Sequence, residues 1–140
     1  MGYLYSLYFF ALEGLINLTT KDLTFATDYC GVISGRNEDK FEKMKLTKEK
    51  AQYVQAPLIK ESPVNIECQV VDVTHCGTHD MFLAKVLCVH ADKKYMDEKG
   101  KFDLSKAKPI VYSHGDYYSL GEKLGKFGYS VKKKKQTKKK

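Results

Sequence analysis

Three groups of residues in this chain have the types and spacing that chemistry requires. The first is Ser34, Gly35, Arg36 and Lys40, in a loop that runs toward Asp39 and Phe41. A loop entering a helix presents backbone N–H groups to an anion, and two cations four residues apart add charge. The same residues also read as a solvated turn with a surface lysine. Arg36 is the only arginine in the chain, where a planar fork of donors would serve a purpose, although chance is the simpler account. The second group is His75, Cys76, His79 and Asp80 around Gly77. These are metal-donor types, but His75 and His79 share a face only on a helix, and a glycine between two strand-like runs indicates a hairpin. A structural turn is the other reading. The third group is aromatic: Tyr112, Tyr117 and Tyr118, with His114 beside them. Tyr112 and Tyr118 read as sheet, core or interface packing as readily as the wall of a ligand site.

Other chemistries find no support. Cys30, Cys68, Cys76 and Cys88 contain no CxxC pair, which argues against a zinc knuckle or a thioredoxin-like motif. No Ser/His/Asp or Cys/His arrangement for nucleophilic catalysis is evident, nor a P-loop or dinucleotide glycine fingerprint. No metal site and no catalytic residue is assigned.

The elements that must position these groups follow from periodicity. Thr19 or Thr20 is expected to cap a helix, with Asp22 in its first turn and Leu23, Ala26, Thr27 and Cys30 at helical spacing. Gly31 is the expected stop. A short helix over residues 39–44 turns Phe41 and Met44 inward, and Thr47 is expected to cap a further turn through Ala51. Pro57 and Pro63 frame an extended crossing. Val64, Ile66, Cys68 and Val70 alternate with polar residues, which predicts a strand. Val71 and Val73 shift the phase by one, which predicts a bulge. A second strand runs from Met81 to about His90 and is apolar on both faces apart from Lys85, so Cys68 and Cys88 read as small core residues. Residues 92–108 are polar, with Gly100 in a turn, and a short strand follows at 109–112.

Length and charge set the frame. At 140 residues and 16.0 kDa the chain suits one domain. A hydrophobic fraction of 43% excludes a wholly disordered chain, and the lack of a repeat excludes collagen and coiled coil. Seven of the 24 basic residues are lysines at 132–140, and the remaining 17 match the 17 acidic ones. The body is neutral and the basic balance belongs to a tail expected to be disordered, so a specific nucleic-acid partner loses its support. The apolar run at residues 3–12 is too short to span a bilayer and lacks the basic flank of a signal peptide. Met1, Gly2 and Ser6 fit the myristoylation pattern only loosely, with bulky Tyr3 beside them. No membrane partner is expected. Nothing in the cysteine usage indicates an oxidising compartment, so the thiols are expected to be reduced and the protein cytoplasmic.

The segments TDYCGVISGRNEDKF (27–41), SPVNIECQV (62–70), THDMFLAKV (78–86) and HGDYYSLGEKLGKFG (114–128) together resemble the flavin reductase-like family, which includes flavoredoxins and related FMN-binding split-barrel proteins. The resemblance covers residues 16–128. It implies a mainly β, α+β fold: a small antiparallel split β-barrel with short accessory helices. It implies a homodimer that binds FMN between subunits, with NAD(P)H-linked flavin reduction or electron transfer through FMN. It places flavin contacts at Lys40, with Ser34, Gly35 and Arg36 beside the phosphate, at His79, and at Tyr112 and Tyr118. Family members carry further strands before the INLTT segment (16–20), and residues 1–14 do not match them. The expected organisation is therefore a divergent segment at 1–14, a flavin reductase-like domain at 15–130 lacking its first strands, and a basic tail at 131–140. The expected function is an FMN-dependent redox protein using NAD(P)H and a flavin, ferric or protein electron acceptor. The competing readings are a truncated, dimerising remnant without cofactor, and a polyanion-binding module built on the tail.

Overall fold

The computed structural model describes residues 13–132, so the apolar run at 3–12 and most of the lysine tail lie outside it. Its backbone is one long hairpin with shorter pieces set against it. The hairpin consists of β4 (Val64–Cys76) and β5 (His79–Ala91), each 13 residues, joined by Gly77 and Thr78. Gly77 has φ +79°, a conformation that glycine alone adopts without a steric cost, and it stands first of the two turn residues as in a type II′ turn. The strands form because valine, isoleucine and phenylalanine recur along both runs and fit a pleated surface. The phase shift at Val71 is real: Val70 pairs with Ala84 and Asp72 with Leu83, which leaves Val71 as the extra residue. A second irregularity at Glu67/Cys68 leaves Leu87 unpaired on the other strand.

β1 (Glu13–Asn17) pairs antiparallel with β4, from Glu13 opposite Gln69 to Asn17 opposite Asn65, giving the sheet order β1-β4-β5. Local propensity does not reveal this strand, since Gly14 and Asn17 are poor strand formers. Among the described residues only the base of the hairpin, at 65–69, gains this third strand, and residues 70–84 pair only with each other. β2 (Lys48–Glu49) pairs with β3 (Leu58–Ile59), and β6 (Ile110–Ser113) pairs with β7 (Asp116–Ser119). Both central residues of the β6–β7 turn, His114 and Gly115, have positive φ, the signature of a type I′ turn. Every pairing is antiparallel, the helices are short, and the architecture is mainly β as expected.

α1 (Thr24–Val32) follows a single 3-10 turn at Lys21–Leu23, and α2 is Lys40–Lys43. Asp39 caps α2, its Oδ1 accepting from the N–H groups of Phe41 at 2.9 Å and Glu42 at 3.3 Å. Phe41 and Met44 are half-buried, in line with their expected inward direction.

Four local expectations fail. Thr20 makes no side-chain cap, because it is buried in a bridge to Pro109, and Thr24 Oγ1 donates to the Lys21 carbonyl instead. Gly31 does not stop α1, which runs one residue further. Thr47 does not cap a helical turn: its N–H donates to the Glu61 carboxylate at 3.1 Å, and the chain leaves as β2. Cys88 is not a core residue but half-buried, while Cys68 is 5% exposed.

The core is small. Ala51, Val54 and Leu58 pack together with Leu15, Ala56 and Leu87, and Val64 and Cys68 of β4 are also buried. By contrast Met81, Phe82, Leu83, Val86 and Val89 on β5 are all more than half exposed.

Candidate functional site

The 33–39 loop lies between α1 and α2, and Lys40 opens α2. Ser34 shapes it: its Oγ accepts from the Arg36 N–H at 3.3 Å and its carbonyl accepts from the Asn37 N–H at 3.1 Å. Lys40 folds back, Nζ donating to the Cys30 carbonyl at the end of α1 at 2.6 Å. An ammonium has three donors, so two remain for another partner. Among the described residues no ion pair engages Arg36 or Lys40. An open cleft of about 570 Å³ covers this loop, lined by Gly35, Arg36 and Lys40 together with Glu38 and Asp39. One expectation changes here. The Phe41 and Glu42 N–H groups at the start of α2 are not available to an anion, because the Asp39 side chain already occupies them. An anion at this loop would meet the two cationic side chains rather than those amides.

His79 sits at the tip of the long hairpin, where its Nδ1 lies 2.8 Å from the Thr78 hydroxyl. The register puts it opposite Cys76, whereas His75 is opposite Asp80 and pairs with that carboxylate at 2.6 Å. Paired residues share a face and neighbours alternate, so His75 and His79 point to opposite sides of the ribbon.

Tyr112 stands opposite Tyr117, and their rings lie 5.2 Å apart at 58°. Tyr118 pairs with Val111 on the other face and its hydroxyl reaches Asp116 at 3.4 Å. The Tyr117 hydroxyl approaches Asp28 of α1. Desolvation, that carboxylate's charge and its hydrogen bond raise the Tyr117 pKa above 10.0, keeping the phenol protonated.

A cluster absent from the sequence reading lies at the base of the long hairpin. Glu67 is fully buried. Its carboxylate accepts from the N–H groups of Gln52 at 2.8 Å, Tyr53 at 2.6 Å and Val54 at 3.1 Å, and from His90 Nε2 at 2.5 Å. Burial pushes its pKa up, but these donors outweigh burial and hold the carboxyl at about 2. Cys88 lies directly across the ladder from Glu67. No sequence spacing reveals this group, because Glu67 occupies a polar position on one strand while Cys88 and His90 alternate on another. Only the register unites them.

The model of the flavin reductase like domain matches residues 13–121. This chain belongs to the flavin reductase-like family. The flavin reductase-like fold is matched by flavoredoxin of Desulfovibrio vulgaris (Miyazaki F), 28% identical with a TM-score of 0.78, over 93% of this chain and 70% of that one. A split-barrel domain protein from Shewanella frigidimarina superposes with a TM-score of 0.69 at 21% identity, over 81% of this chain and 59% of that one. An uncharacterised protein of Archaeoglobus fulgidus is 33% identical over 62% of this chain and 49% of its own length, so the chain spans about half of that relative.

In this flavin reductase-like chain the residues singled out by resemblance fall in three places: the 33–39 loop with the first residue of α2, the tip of the β4–β5 hairpin, and the two faces of the β6–β7 hairpin. The cleft over the loop includes none of His79, Tyr112 or Tyr118. Among the described residues, no helix is long and apolar enough to cross a membrane.

Proposed function

We propose that this protein binds FMN and serves NAD(P)H-linked flavin reduction or electron transfer through FMN. The observation that carries the reading is the Arg36–Lys40 cleft within a chain that matches the family over residues 13–121. The residues present suit the cofactor in parts. Arg36 and the two uncommitted donors of Lys40 suit a terminal phosphate, held within the turn that Ser34 and Gly35 shape. The tilted Tyr112–Tyr117 pair offers an aromatic wall to a planar ring, and His79 offers a ring N–H or acceptor to a ring or ribityl oxygen. Tyr118, on the opposite face, would contact a flavin only from the other side of its hairpin. The chemistry FMN supplies when bound is acceptance of hydride from a reduced nicotinamide and passage of electrons to a flavin, ferric or protein acceptor. The chain's own task is to orient it and exclude water.

The same layout supports a homodimer. Groups that one copy spreads over three elements can converge when two copies meet, and the exposed apolar side chains of β5 offer the surface for meeting.

Equilibrium titration of the purified chain with FMN, read by absorbance and fluorescence, tests the reading. Lys40→Ala and His79→Ala should each weaken binding about tenfold or more, since a hydrogen bond to a charged group contributes roughly 1.5–3 kcal/mol. Tyr112→Ala should cost less, and Lys85→Ala serves as the control. If the two variants bind like the control, the site assignment fails. If no variant and no wild type binds, the cofactor reading itself fails.

A further inference from the structure

We propose that Glu67, Cys88 and His90 form a binding site for a thiophilic divalent cation of the zinc class. Their donor atoms, a carboxylate oxygen, a thiol sulfur and an imidazole nitrogen, all lie within 4.8 Å of one another. The ladder places them so. Glu67 faces Cys88, and His90 is two residues further along β5, so all three project from the same face.

The geometry separates a fixed ligand from two adjustable ones. Three backbone N–H groups hold the Glu67 carboxylate, and the lone pair directed at His90 is the one position filled by a side chain. That position is where a cation would sit. At the tetrahedral angle, zinc–nitrogen and zinc–oxygen bonds of about 2.0–2.2 Å place the two atoms roughly 3.3–3.5 Å apart. His90 Nε2 is now 2.5 Å from Oε1, so the imidazole must retreat by about 0.8–1 Å. Its side chain is 32% exposed and lines a cleft of about 640 Å³, which gives it room to move. The Cys88 sulfur lies 3.8 Å from Gln52 Oε1, an uncharged oxygen placed to complete four-coordination. Sulfur and imidazole nitrogen select zinc-class ions over calcium and magnesium, which favour oxygen throughout. On binding, the Cys88 thiol releases its proton to solvent, and His90 carries its ring proton on Nδ1, leaving Nε2 as the ligand. Nothing in this site draws on the Arg36–Lys40 cleft, so it stands whether or not FMN binds there.

Cobalt(II) titration of the untagged full chain, under reducing conditions and without flavin, tests the proposal. One cobalt per chain is expected, with a thiolate charge-transfer band that zinc(II) abolishes by displacement. Cys88→Ser should lose the band, while Cys76→Ser, at an exposed cysteine, should keep it. His90→Ala should bind at least about tenfold more weakly. His90→Gln retains an N–H donor for Glu67 while removing the imidazole, so it should bind as weakly as His90→Ala even if the latter is poorly folded. No band in the wild type, a band that survives in Cys88→Ser, or wild-type affinity in His90→Gln would overturn the site.

Discussion

Glu67 is an acid placed where acids are rarely found. An ionised carboxylate survives full burial here because four donors converge on it, three of them successive backbone amides. The arrangement fastens residues 52–54 to the sheet, and Glu13 extends it by accepting from the Gln55 N–H. Two consequences are measurable. Glu67→Gln retains the shape but turns an NH2 group toward N–H donors, so its thermal midpoint should drop by at least about 4 °C. The pH dependence has a definite sign. The folded-state pKa of about 2 is below the ordinary value of 4.5, so this stabilisation is complete above pH 4.5 and is lost as pH falls toward 2. Acid titration followed by circular dichroism should therefore show a slope between those values that Glu67→Gln flattens. An unchanged slope would assign acid sensitivity to other carboxylates.

The long hairpin shows which elements a sequence reveals and which it conceals. β4 was legible because Val64, Ile66, Cys68 and Val70 alternate, and the bulge was legible because Val71 and Val73 break that alternation. Such signals are local. β1 was not legible, since its strand character comes from pairing with a segment far along the chain rather than from Gly14 and Asn17. Thr20 misled because a tertiary bridge to Pro109 claimed the residue that local propensity offers as a cap. The same division applies to the site. Arg36 and Lys40 were visible as a spacing, whereas Asp39's occupation of the neighbouring N–H groups and the union of Glu67 with His90 depend on three-dimensional placement. The turn provides a test at this scale. A Cβ at Gly77 meets no neighbouring atom, so Gly77→Ala probes backbone strain alone at φ +79°. It should cost about 1–2 kcal/mol in denaturant melts. Gly14→Ala, also in open space but without a positive φ, should cost markedly less.

For the whole molecule, the balance between buried and exposed apolar residues decides behaviour. Among the described residues few side chains form the core, while Met81 and Leu83 are each 59% exposed and Phe82 is 55% exposed on a ribbon that no third described strand joins. Isolated two-stranded ribbons are marginal in water, so association is expected to stabilise this one. Light scattering at micromolar concentration should report a dimer or larger species. Met81→Ser combined with Leu83→Ser should shift it toward the monomer, and a wild type that is monomeric throughout would refute the expectation. The basic tail should act separately: removing residues 132–140 should abolish salt-sensitive attraction to polyanions while leaving FMN affinity and thermal stability unchanged.

The bulge at Val71 also divides the hairpin in time. Below it, β4 amides lie between two strands and over the core, so they should exchange with deuterium only when the molecule opens globally. Above it, amides at 72–84 belong to a ribbon that can fray by itself, and their exchange should follow local openings. A neighbouring copy laid against that ribbon would slow the upper clock and leave the lower one running as before. The ratio of the two rates, read along one continuous hairpin at increasing concentration, would therefore measure assembly from within the chain, with no label attached.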